Sequence, residues 1–79
     1  MQRVGAGEIG RILSVTDAAG VHREAVSIPL AARGAGSVRV TPARRLEIVA
    51  PADADFEQWL AGLPAALGAL DLSAVQRAG

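Results

Sequence analysis

Residues 53–70 read DADFEQWLAGLPAALGAL, and the spacing of their apolar side chains decides how the rest of the chain is arranged. At about 100° per residue, Phe56, Trp59, Leu60, Leu63, Leu67 and Leu70 fall in one stripe. Asp55, Glu57 and Gln58 lie outside it. The spacing predicts an amphipathic helix over 53–70, capped by Asp53 or Asp55 after the stop at Pro51. Gly62 and Pro64 interrupt its interior. A mid-helix proline costs about 3 kcal/mol, which predicts a kink, or a break with Pro64 opening a second helix. Away from the stripe, Ala61, Ala65 and Gly68 are small enough for close approach by another helix. Together with Trp59 they are the candidate interaction surface.

Immediately upstream, Val38-Arg39-Val40 and Leu46-Glu47-Ile48-Val49 flank Pro42-Ala43-Arg44. A three-residue loop pairs Val40 with Leu46 and Val38 with Ile48, leaving Arg39 opposite Glu47 on the other face. A two-residue loop would set Val40 against Arg45 and segregate the faces less well. The third residue of such a loop is often Gly, and here it is Arg44.

Further upstream, residues 9–16 (IGRILSVT) and 21–28 (VHREAVSI) are rich in β-branched side chains and flank Asp17-Ala18-Ala19-Gly20, a type I turn by composition. Pairing Thr16 with Val21 puts Ile9, Leu13, Val15, Val26 and Ile28 on one face. Arg11 falls on that face too and needs an edge where it reaches water. Pro29 limits the second strand, and residues 31–37 form a loop. The order of elements predicts an α+β fold: a small antiparallel sheet of about four strands in two hairpins, with one C-terminal helix across one face. As a single domain over 1–79, this divides into a flexible lead-in at 1–7, hairpins over 8–50, the helix at 53–70 and a tail or extra turn at 71–79.

The composition bounds function more than it reveals it. Of the apolar residues 17 are Ala, so a core of this length is thin and gains from sharing with a second copy. There is no Cys, which excludes disulfide and thiolate chemistry and fits a reducing, cytoplasmic setting. No apolar run approaches membrane-spanning length, and no export segment is recognisable. Charge is zero overall yet divided: residues 1–45 hold seven Arg against three acids, and residues 46–79 hold one Arg against five.

Motifs for chemistry fail on context. Gly5-Ala6-Gly7-Glu8-Ile9-Gly10 spells GxGxxG, but a dinucleotide fingerprint needs a preceding buried strand and an acid about 20 residues on, and both are missing. Asp53, Asp55 and Glu57 suit a helix N-terminus without any metal. His22 has no second His or Cys for zinc, and Ser14 or Ser27 beside it lacks a nucleophile elbow. No catalytic, cofactor or metal residue is assigned. Arg33, Arg39, Arg44 and Arg45 could meet a phosphate backbone, although no aromatic residue interleaves for base stacking.

Residues 38–70 resemble the C-terminal strand–turn–strand–helix tail of accessory proteins encoded by bacterial insertion sequences. The likeness lies in a short hairpin, a Pro-Ala-Asp helix start and a leucine-spaced helix. The helix-turn-helix of those proteins has no counterpart in residues 1–37, so their DNA binding does not transfer. Ser27-Ile28-Pro29 before a hairpin is similar to swapped-hairpin antitoxins and transition-state regulators, with a shorter intervening segment. The reading is therefore a non-catalytic protein-interaction module that forms homo-oligomers through a sheet edge or the helix. A nucleic-acid-binding accessory or regulatory protein using the four arginines is the alternative.

Overall fold

The computed structural model describes residues 3–73 and residue 75. It is an α+β arrangement with two helices and a three-stranded mixed sheet: α1 (Ala6–Ala18), β1 (Val26–Ser27), β2 (Ser37–Val40), β3 (Leu46–Val49) and α2 (Phe56–Gly68). A single 3₁₀ turn at Arg23–Ala25 leads into β1.

The sheet order is β1-β3-β2, with β3 antiparallel to β2 and parallel to β1. The β2–β3 hairpin has the register its side chains favour: Val38 opposite Ile48, Arg39 opposite Glu47, Val40 opposite Leu46. Its loop closes through Thr41 N–H to Arg45 C=O and Arg44 N–H to Thr41 C=O, at 2.8 and 2.9 Å. Arg44 takes φ 63°, the left-handed conformation a glycine would adopt more cheaply. Central β3 points Leu46 and Ile48 into the core, both with no solvent exposure.

The N-terminal region corrects the expected architecture. Residues 6–18 are a helix rather than a lead-in and a first strand, and the sheet has three strands and one parallel pairing rather than four antiparallel ones. The helix is set by its ends. At the start, the Glu8 carboxylate reaches back to accept the Gly5 N–H at 2.9 Å. At the finish, Gly20 has φ 81°. Val21 N–H donates to Thr16 C=O and Gly20 N–H to Asp17 C=O, each at 3.0 Å. These are the two bonds of a Schellman cap, and the buried Val21 behind it supplies the usual apolar contact. So Asp17-Ala18-Ala19-Gly20 ends a helix instead of turning a hairpin. Helical spacing buries Ile12 and Thr16. The Thr16 hydroxyl donates to the Leu13 carbonyl at 3.0 Å, which satisfies it inside the core. Ahead of α1, Val4 is buried, its N–H bonded to Leu30 C=O.

Helix α2 follows its stripe but is shorter than the expected 53–70: it begins at Phe56, after the Asp55 cap, and ends at Gly68, so Leu70 lies just beyond it. Leu60, Leu63 and Leu67 are buried, and Phe56, Trp59 and Leu70 are half-buried against the core that includes Leu46 and Ile48, as are Val38 and Val40 of β2. Asp55 is the N-cap, accepting the Gln58 N–H at 3.1 Å. The helix runs through Pro64 as one element, with no second helix opening there. Beyond it, Val75 is buried in the core, so residue 75 is not a frayed tail; residues 74 and 76–79 lie outside the described residues. Among the described residues no helix is long and apolar enough to cross a membrane.

Candidate functional site

The four arginines lie on the β2–β3 hairpin and in the loop before it. On the outer face of the sheet, Ser27, Glu47 and Arg39 form a row across β1, β3 and β2. Arg39 Nε donates to Glu47 Oε1 at 2.7 Å, which raises the guanidinium pKa. Arg39 and Glu47 thereby offset each other's charge on that face. Arg33 sits at the other end of β2, where its N–H donates to Ala50 C=O. Arg44 and Arg45 line a polar cleft with Glu24, Ala25, Ser73 and Val75. Arg33, Arg44 and Arg45 have no ion-pair partner among the described residues.

The proposed interaction residues fall on two sides of α2. Ala61, Ala65 and Gly68 are exposed on one side of α2. Trp59 lies on the other side, against the sheet, with Phe56 5.7 Å away between ring centroids. The indole is seated on Gly36. A Cβ built there would lie 2.7 Å from Trp59 Nε1, 2.9 Å from the Val49 carbonyl oxygen and 3.2 Å from Pro51 N. Only glycine permits this approach, at φ 78°. Trp59 also lines a groove between β2 and α2 of about 340 Å³, together with Val38, Gln58, Gly62, Leu63 and Ala66.

A larger groove opens between the C-terminal halves of α1 and α2. It measures about 780 Å³ and is lined mainly by apolar residues, among them Val15, Ala18, Leu67, Gly68, Leu70 and Leu72. The residues from α1 were missed at the level of sequence because residues 9–16 read as a strand. The signal that would have placed them is the helical spacing Ile12, Val15, Thr16, Ala19 ending at Gly20. At its polar rim, Asp71 accepts the Ser73 N–H at 3.0 Å, and hydrogen bonding from Ser73 holds the Asp71 carboxyl below the usual range.

The remaining titratable groups are used to hold elements together. Arg11 forms a two-pronged ion pair with Glu57, tying α1 to the first turn of α2, and its guanidinium sits 5.9 Å from the Phe56 ring centroid. Hydrogen bonds from Arg11 depress the Glu57 pKa. Arg23 does the same to Asp17 across the α1 C-terminus, at 2.8 Å. His22 Nδ1 accepts the Glu24 N–H at 3.1 Å, capping the 3₁₀ turn. Gly5 to Gly10 runs from the N-cap into α1, and just before it Arg3 forms an isolated bridge with Ala31 and Val4 N–H donates to Leu30 C=O. Among the described residues no group of three or more His, Cys, Asp or Glu is placed to hold a metal ion. No family model, curated protein or solved structure matches this chain.

Proposed function

We propose that this chain is a non-catalytic protein-interaction module that self-associates through the α1–α2 side. The observation that supports this most is the open apolar groove of about 780 Å³ between the two helices. Gly68 lines it, and the exposed Ala61 and Ala65 extend the same side of α2, so a second copy could approach closely along the whole helix. Burying Leu70, Leu72 and Val15 there would add apolar area that a core of this size lacks.

Sedimentation velocity across the micromolar range tests the reading. The expected result is a sedimentation coefficient that rises with concentration, and that Gly68→Arg lowers to the monomer value without changing the far-ultraviolet circular dichroism. A chain that stays monomeric throughout that range overturns it. A second reading, contact with a nucleic-acid backbone, draws on the unpaired Arg33, Arg44 and Arg45. It requires binding that weakens steeply with salt. The engagement of Arg39 by Glu47 favours the first reading.

A further inference from the structure

We propose that the free edge of β2 is a docking site for an extended, acidic peptide segment, which adds to the sheet as a fourth strand beside Val38–Val40. This surface is separate from the α1–α2 groove, so the proposal stands or falls independently of self-association.

Three observations converge on it. The first is backbone. Thr41 and Arg45 form a hydrogen-bonded pair in the β2–β3 hairpin. The antiparallel alternation then makes Arg39–Glu47 and Ser37–Val49 the other bonded pairs, and turns the N–H and C=O of Val38 and Val40 away from β3. On that outer side β2 is the last strand of the sheet among the described residues. Four main-chain groups there suit strand addition.

The second is the groove beside the edge. An added strand alternates its side chains between the two faces. Those opposite Val38 and Val40 point to the helix side, where Trp59, Gly62 and Ala66 line the 340 Å³ groove. Gly62 leaves it open: a Cβ there meets nothing within 4 Å.

The third is charge. The residue of an added strand opposite Arg39 lands on the outer face at the close, non-hydrogen-bonded position. Arg39 is 62% exposed at its side chain and uses only Nε on Glu47. Its two Nη groups have no partner among the described residues and can grip a carboxylate in bidentate fashion. A second copy's β2 fits the same edge poorly, since the register that joins Val38 to Val40 sets Arg39 against its own copy. The partner pattern is therefore apolar–acidic–apolar.

Trp59 is the sole tryptophan and reports directly on the groove. The full chain is titrated with a blocked peptide of sequence Val-Glu-Val-Glu-Val while Trp59 fluorescence is followed. The expected result is a saturable change that a Val-Lys-Val-Lys-Val peptide does not produce, and that backbone N-methylation of the acidic peptide abolishes. Arg39→Gln lowers the affinity a few-fold and removes the preference for acid. Gly62→Leu, which fills the groove at a helical position, weakens binding while keeping the helix, as checked by circular dichroism. No fluorescence change at millimolar peptide overturns the proposal, as does equal binding of the lysine peptide or undiminished binding of the N-methylated one. Preferential binding of single-stranded oligothymidine, falling steeply with salt, also overturns it and assigns the arginines to phosphate.

Discussion

The two helices have the same length, 13 residues, and are held in place by different means. Helix α2 buries three leucines on one stripe and carries an Asp55 cap, so its packing against the sheet stabilises it along its whole length. Helix α1 buries only Ile12 and Thr16 and carries exposed Gly7 and Gly10. What holds it is at its ends: Glu8 on the Gly5 N–H, the Schellman cap at Gly20 and Val21, and the Arg11–Glu57 tether to α2. A helix with a weak stripe can thus persist when both termini are closed and a neighbour supplies its partner. The α1–α2 groove inherits this contrast, since one wall is secured by burial and the other by caps and one surface ion pair.

The largest expected effect breaks the strong side. Leu63→Ala removes a buried leucine from α2 and is expected to lower unfolding stability by about 3–4 kcal/mol, read from urea denaturation midpoints. Next comes Gly36→Ala, which forces a Cβ against Trp59 and the Val49 carbonyl at positive φ; about 2–3 kcal/mol is expected to be lost, with a shift in Trp59 emission as the indole is displaced.

The weak side is sharpened by Gly7→Ala or Gly10→Ala. Each added Cβ meets nothing within 4 Å, so each variant is expected to gain roughly 0.5–1 kcal/mol, seen as a higher melting temperature. A loss at either position would speak against a helix there. The smallest effect concerns the tethers. The Glu57 and Asp17 carboxyls are held below their ordinary pKa by Arg11 and Arg23. The unfolded chain therefore takes up these protons first as pH falls. The stabilisation is present above the ordinary carboxylate range and is lost as pH drops through it towards the folded-state pKa. Thermal melts between neutral and acid pH are expected to show a shallow decline, weaker at high salt and weaker still in Glu57→Gln.

Much of the C-terminal half was legible in the sequence because single-element rules suffice there. Period-2 alternation put Val38 and Val40 on the face of Leu46 and Ile48, and only a three-residue loop kept that segregation, at the cost of a left-handed Arg44. The 3.6-residue stripe described the buried face of α2, while the choice between Asp53 and Asp55 as its cap stayed open until Asp55 was seen to accept the Gln58 N–H. In residues 6–28 the same cues conflicted. β-branched Ile9, Ile12, Val15 and Thr16 favoured a strand, and Gly20 fits either a turn or a helix end. The misplaced Arg11 on the apolar face of the expected hairpin was the sign of the wrong period. In the helix it faces water and meets Glu57, 46 positions away in the chain.

The interaction surfaces were less legible than the elements. Trp59, Ala61, Ala65 and Gly68 were grouped as one candidate surface, but the helix turns Trp59 to the sheet and the three small residues to solvent. For the arginines, the hairpin register put Arg39 opposite Glu47, but the ion pair between them and the cleft shared by Arg44 and Arg45 are visible only in the folded chain.

What this sequence determined by itself is local: which stripe of α2 and which faces of β2 and β3 are apolar, and that no cysteine or second histidine exists for thiolate or zinc chemistry. The tertiary structure alone decided that residues 6–18 are helical, that β1 pairs in parallel with β3, and that Trp59 rests on Gly36. The physical reason is range. Periodicity and capping act within a few residues, whereas a parallel pairing, an ion pair 46 residues apart and a close approach of indole to backbone take effect only once distant segments are brought together.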